Sequence, residues 1–414
     1  MPIKTNPEKE EQHLGFIDPL TAIITTFCFL GVLIYKRINL GITLNVAALF
    51  LAFLVLDLPT IGKVIADTTV SPLTMSIVAA TFAIMWLSML YKETKIIDTL
   101  SESLSRLVNN SKLIISTLPA VIGLLPVGGG ALMSAPLVEA ETEKLGMKED
   151  KKTYVNLWFR HTIFPVYPVN QVLILSASLT GLTVTTLIIR QIPVVAVMVI
   201  VGYIIGLWKT PKKPENEKIL VNRSSESKRF FVTFLPILAT IIAVIAFGVD
   251  VSIGAFVGVI FLYAIARPSL KVMVKPLKSW GIWGITLAAY GAFLMRNVSL
   301  EAGISQVFGP FVANGSVDIL LLLIIVPAFL SAVTGAVSGG VALSISILGI
   351  ASYTAKTGSL LYMASYLGYV VAPTHLCLVL TAEYFKCPLG KLYKYLIPSL
   401  LVSFATAILV YFLM

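Results

Sequence analysis

Asn170 and His375 each stand two residues beyond a proline, Pro168 and Pro373, inside long apolar runs. Proline lacks an N–H and crowds the preceding turn, so each run is expected to break there and restart as a new half-helix. Lipid offers no partner for the backbone groups freed at a break, so protein or ligand must supply one. Asn170 with Gln171, and Thr374 with His375, then fall in or near a first helical turn. Free N–H groups and roughly half a positive charge face outward at such an end, which suits a small anion such as a carboxylate or phosphate. Either side chain could instead cap its own helix, a role Asn fills well. Arg160 and His161 precede the first break by one to two turns. Arg160 either snorkels to the interface or faces a cavity as an anion contact. His161 and His375 could carry a coupling proton.

Two further apolar segments, 113–138 and 317–352, are interrupted by Val127-Gly128-Gly129-Gly130 and by Thr334 to Gly340. Glycine lets backbone N–H groups approach a ligand closely, and Thr334, Ser338, Gly339 and Gly340 form the second interruption. Ser134, Ser338 and Ser344 could offer hydroxyls to a ligand or serve close helix packing. New helices are expected to begin near Ala131 and near Val341. No Asp or Glu lies in the middle of any apolar span; Asp57, Glu139, Asp250, Glu301, Asp318 and Glu383 fall at ends, in loops or at hairpin bases. That disfavours a cation carrier with a buried carboxylate, although Na+ could still bind carbonyls exposed at the breaks. Cys28, Cys377 and Cys387 are too few and too scattered for a disulfide framework or a metal site. No phosphate-binding Gly-x-x-x-x-Gly-Lys-Ser/Thr loop occurs, and no spacing places a base beside a serine. An enzyme, or a resident cofactor, is therefore not expected.

The elements that must hold these residues follow from composition. The chain has 414 residues, of which 57% are hydrophobic and 13% charged. Soluble domains carry roughly 25% charged residues, so lipid is the expected solvent. About 20 apolar residues of helix cross a bilayer, and ten such runs occur, near 19–35, 40–57, 75–91, 156–178, 185–207, 230–248, 251–266, 280–296, 360–385 and 392–413. Segments 113–138 and 317–352 read as re-entrant hairpins, because glycine-rich backbone at membrane depth must be enclosed in protein. Residues 1–18 are polar and carry no signal-like apolar stretch, so the first run is expected to stay in the mature protein. With both hairpins returning to the side they left, most of the 31 Lys/Arg fall in cytoplasmic loops, as topology requires. That arrangement puts the chain in the inner (cytoplasmic) membrane with both termini outside. The net charge of +10 is then a topology signal, and no nucleic-acid partner is expected. Residues 208–229 form a cytoplasmic linker, and the amphipathic stretch 91–112 reads as a helix on the membrane surface.

The segments before and after that linker, 19–207 and 230–414, share motifs in one order. One constant offset lays Val127, Gly129, Gly130 and Ser134 on Val337, Gly339, Gly340 and Ser344. A nearly equal one lays Pro168 to Ala177 on Pro373 to Ala382, and Asn170 on His375. The charge pattern sends the first hairpin in from the cytoplasm and the second from outside, so the halves are expected to be inverted. Inverted repeats with interrupted helices mark secondary transporters, whose site lies near the midplane.

The glycine-rich hairpins, followed by Phe164-Pro-Val-Tyr-Pro-Val-Asn170 and Val371-Ala-Pro-Thr-His-Leu-Cys377, resemble the ion-transporter superfamily. That group holds divalent-anion/sodium symporters, citrate carriers, and gluconate and dicarboxylate permeases. Within it the chain looks most like an uncharacterised ten-span bacterial and archaeal family. The resemblance implies a scaffold domain, a moving transport domain, elevator-like alternation and often a homodimer. It also implies a site from the hairpin tips and broken spans, here Gly128–Gly130, Ser338–Gly340, Asn170 and Thr374-His375. Neither tip carries the Ser-Asn-Thr signature of the dicarboxylate/sodium symporters. The expected function is transport of a small organic anion, with a carboxylate favoured, coupled to Na+ or H+. A sodium or proton antiporter on the same fold is the rival, and an intramembrane enzyme a remote one.

Overall fold

The computed structural model describes residues 17–108, 110–125, 131–210, 222–303, 318–348, 350 and 352–414. Among these the chain is all-helical: α1 (Pro19–Tyr35), α2 (Leu40–Val55), α3 (Leu58–Val70), α4 (Pro72–Glu93), α5 (Ile96–Leu107), α6 (Ser111–Gly123), α7 (Ala131–Lys144), α8 (Glu149–Thr162), α9 (Gln171–Thr180), α10 (Val184–Gly206), α11 (Arg223–Ile245), α12 (Val251–Ala266), α13 (Leu270–Val274), α14 (Trp280–Glu301), α15 (Ile319–Thr334), α16 (Val337–Leu348), α17 (Ala355–Val371), α18 (Leu376–Tyr384) and α19 (Leu389–Leu413). Helices α4, α10, α11, α19 and the interrupted rod α17–α18 are each long and apolar enough to cross a membrane. Helices α8 and α9, bent by 41° at their break, add a sixth crossing if taken as one. The protein is membrane-embedded.

Helix ends account for the missing intramembrane carboxylates. Asp18, Asp57, Asp250 and Asp318 each accept a backbone N–H at the start of α1, α3, α12 and α15. A carboxylate there satisfies one orphan donor and meets the positive end of the helix dipole.

Three local expectations need correction. Residues 58–70, left between two runs, form α3, whose apolar residues Ile61 and Val64 are buried. Its Thr68 and Thr69 bond Asn297 and Tyr290 of α14. Helix α5 does not rest its apolar face on lipid: Ile96, Ile97 and Leu100 are buried in the main core, and Arg106 pairs with Glu226 of α11. The second hairpin turns at Gly335 and its return helix starts at Val337, not near Val341.

The packing falls into two cores. A large one joins α4–α12 to α15–α19. A smaller one is built from α1, α2, α3 and α14, with Leu330 and Leu343 against it. Several helix pairs match across the chain: α2 packs on α14 and α4 on α12, α6 on α8 and α15 on α17, α7 on α18 and α16 on α9.

Candidate functional site

The first break runs from the 3-10 turn Phe164–Val166 to Asn170. Asn170 closes it from both sides: its Oδ1 accepts from Val172 N at 2.9 Å and its Nδ2 donates to Phe164 O at 3.0 Å. The second break spans Ala372 to His375. Its backbone repeats the first, with His375 N donating to Ala372 O at 3.0 Å and Asn170 N to Tyr167 O at 3.0 Å. His375 occupies the N-cap position, but its side chain does not cap.

The imidazole of His375 turns inward instead. Its Nδ1 lies 3.2 Å from Val370 O, and its Nε2 is buried without a hydrogen-bond partner among the described residues. His161, near the end of α8, holds Nδ1 at 2.7 Å from Leu157 O. A carbonyl can only accept, so in both neutral rings Nδ1 carries the proton and Nε2 the lone pair. The two rings meet at 4.7 Å. Tyr369 lies over His375 at 3.9 Å, and Tyr366 donates its hydroxyl to the His161 carbonyl. The pair is wholly enclosed, with His161 1% and His375 0% exposed.

Arg160 does not snorkel. It is 2% exposed, and its Nη2 points at Leu125 O of the first hairpin, 3.5 Å away. The chains cross closely here: a Cβ on Gly123 would lie 2.5 Å from the Arg160 carbonyl. Arg160 is also within electrostatic reach of both histidines.

The second hairpin reaches the second break. Thr374 donates its hydroxyl to Ala332 O, and Gly335, at φ +65°, leaves only 2.9 Å between a would-be Cβ and Thr374 O. Thr334 spends its hydroxyl on Leu330 and Ala336 carbonyls. Gly339 and Gly340 press against Thr334 and Ser331 of their own hairpin, so their role is close packing. Ser338 is half-buried, while Ser344 is fully buried with an Oγ lacking a partner among the described residues. Ser134 donates to Asn156 Oδ1 at 2.7 Å, tying α7 to α8. Gln171 keeps a buried Oε1 without a described partner. Gly128, Gly129 and Gly130 lie outside the described residues.

His161, not Asn170, stands against His375, and Asn170 is consumed by its own break. Cys377, set aside as too scattered, lies with the two histidines: one ligand atom from each comes within 4.8 Å of the others. Two imidazoles and a thiol suit a soft cation by type. The adjacent Arg160 charge works against that use and favours an anion. Arg190 was also missed: buried in α10, it donates to Ser359 Oγ at 2.8 Å and Val410 O at 3.0 Å, joining three helices.

Residues 20–414 match the family described as "Protein of unknown function (DUF401)". The chain belongs to this family. The match covers every helix of this DUF401 protein except the first residue of α1. No curated protein matches the chain.

Proposed function

We propose that the chain is an ion-coupled secondary transporter of a small organic anion, working by elevator-type alternating access. Its ten spans and two re-entrant hairpins form two inverted repeats, as in the ion-transporter superfamily, set in the inner membrane with both termini outside. The observation that carries this reading is the meeting of the two helix breaks. Each break has the same backbone bonding, the second hairpin touches the second break while the first lies against Arg160 a turn before the first, and the two helices bring His161 and His375 into contact. The paired helix packings support the repeat, since exchanging the halves maps each contact on a partner. Broken helices facing one central volume are the usual source of substrate sites in such carriers.

The chemistry of the site supports an anion. Arg160 supplies fixed positive charge, and among the described residues no carboxylate is one of the groups acting on His161 or His375. Coupling by H+ would use an imidazole of this pair, and coupling by Na+ the carbonyls of the breaks. Proteoliposomes holding the purified chain test this. A Na+ or H+ gradient should drive accumulation of at least one of acetate, 3-methylbutanoate, succinate and citrate. Cation exchange that needs no organic solute would replace this reading with an antiporter.

A further inference from the structure

A cavity among the described residues lies away from the histidines. It measures about 330 Å³ and opens between the C-terminal ends of α9, α14 and α16 and the segment leading to Tyr353. In the proposed topology all of these lie on the outer side. Its volume is at the low end of small-ligand pockets, which run from about 300 to 1,000 Å³.

One wall is cationic and hydroxylic. Among the described residues, the side chain of Arg296 has as its only hydrogen bond the one from Nη1 to Asn297 Oδ1, at 3.3 Å, and no carboxylate pairs with it. Ser299 and Tyr353 are 4% and 9% exposed, and neither hydroxyl has a hydrogen-bond partner among the described residues. Buried hydroxyls are normally bonded, and leaving one unpaired is costly. Both residues line the cavity beside Arg296, and each carries a hydroxyl with no acceptor among the described residues. Thr180 and Ser346 also reach the cavity, but each hydroxyl is already bound to a carbonyl one turn back. Leu179, Leu300, Ile345 and Ile350 supply apolar lining.

We infer that this cavity binds a small monocarboxylate with a short apolar tail, its head on Arg296, Ser299 and Tyr353. A guanidinium takes a carboxylate through two parallel N–H···O bonds, and each hydroxyl can donate to a remaining lone pair. A single cation matches a single carboxylate. A second carboxylate would be left against leucine and isoleucine, which strongly disfavours it. The cavity is thus an outer binding site that selects cargo before it reaches the histidines. Its place on a transport path rests on the reading above; the binding itself does not.

The test titrates the purified full chain, in neutral detergent, with 3-methylbutanoate and with succinate. The monocarboxylate should raise Tm at saturation, as any ligand of the folded state does, and succinate at equal concentration should raise it far less. Arg296→Gln should weaken 3-methylbutanoate binding at least about tenfold, by loss of the paired bond, and Tyr353→Phe by about three- to tenfold. Both should keep the unliganded Tm; should Arg296→Gln fail to fold, Tyr353→Phe and Ser299→Ala carry the same comparison. Unchanged affinity in folded variants overturns the site. Stabilisation by inorganic phosphate or by phosphatidylglycerol, without any by the carboxylate, also overturns it and assigns the cavity to a free phosphate or a lipid headgroup respectively. Binding lost in Arg296→Gln, together with no gradient-driven uptake by wild type, keeps the site and sinks the transport reading. Uptake that Arg296→Gln leaves intact, with no binding in detergent, does the reverse.

Discussion

The imidazole rings of His161 and His375 meet edge to face, with centroids 4.7 Å apart and planes 86° apart. One sits just before the first helix break and the other holds the N-cap position after the second without capping it. Each is held by Nδ1 to a carbonyl, His161 to Leu157 O in its own helix and His375 to Val370 O at the end of α17, which aims the two Nε2 lone pairs away from those carbonyls. A ring oriented this way is poised to take up a proton or a ligand without rearrangement, the same device that orients metal-binding histidines.

Asn170 is a structural residue of the first break. Asn170→Ala removes the cap on α9 and the donor to Phe164 O, and should cost about 1–2 kcal/mol of stability. Asn170→Ser keeps a cap acceptor and should recover part of it. Thermal unfolding of the two purified variants beside wild type measures the difference.

Gly335 has a similar role at the second hairpin. Its φ of +65° costs a residue with a side chain about 1–2 kcal/mol, and its Cβ would press on Thr374 O. Gly335→Ala should therefore lower Tm and displace the hairpin from the second break. Cysteine cross-linking between positions 332 and 374 should fall in that background if the contact is lost.

Arg190 clasps α10 to α17 and α19 through charge-assisted bonds, each worth about 1.5–3 kcal/mol. Arg190→Gln should destabilise the protein by about 3 kcal/mol. Arg190→Lys should rescue little, since one ammonium does not reproduce the guanidinium fork. Denaturant titration of the three proteins ranks them.

Asp250 gives an acid-sensitive turn between α11 and α12. Partial burial raises its pKa, but hydrogen bonds from Ser252 and Ser76 outweigh this and hold it below the ordinary carboxylate value. A depressed folded pKa stabilises the protein above the unfolded value of about 3.9, and that gain disappears as pH falls through the lower folded value. The Tm gap between wild type and Asp250→Ala should be constant from pH 7 to about 5 and narrow below about pH 4. A gap that widens on acidification would refute this account of the turn.

Sequence patterning exposed the apolar helices because lipid demands long apolar runs, and the breaks because Pro168 and Pro373 cannot continue a helix. Helix α3 escaped because it is short and carries Lys63 and Asp67 among its apolar residues. Gly339 and Gly340 looked like the second turn because glycine marks both a break and a close helix contact; only the packing against Thr334 and Ser331 separates these. The partner of His375 depends on how two helices distant in sequence cross, which neither helix encodes alone. Arg296 was hidden for a related reason: a cation near a span end reads as an interface anchor until the cavity beside it is seen.

Uptake by proteoliposomes carrying His161→Ala, His375→Ala or wild-type protein tests the central claim most directly. Under an imposed Na+ or H+ gradient, wild type should accumulate a small carboxylate, and each histidine variant should lose at least about tenfold of that rate, roughly the loss of one well-placed contact of 1.4 kcal/mol. Variants of intact fold that transport at the wild-type rate would contradict a site at the meeting of the two breaks.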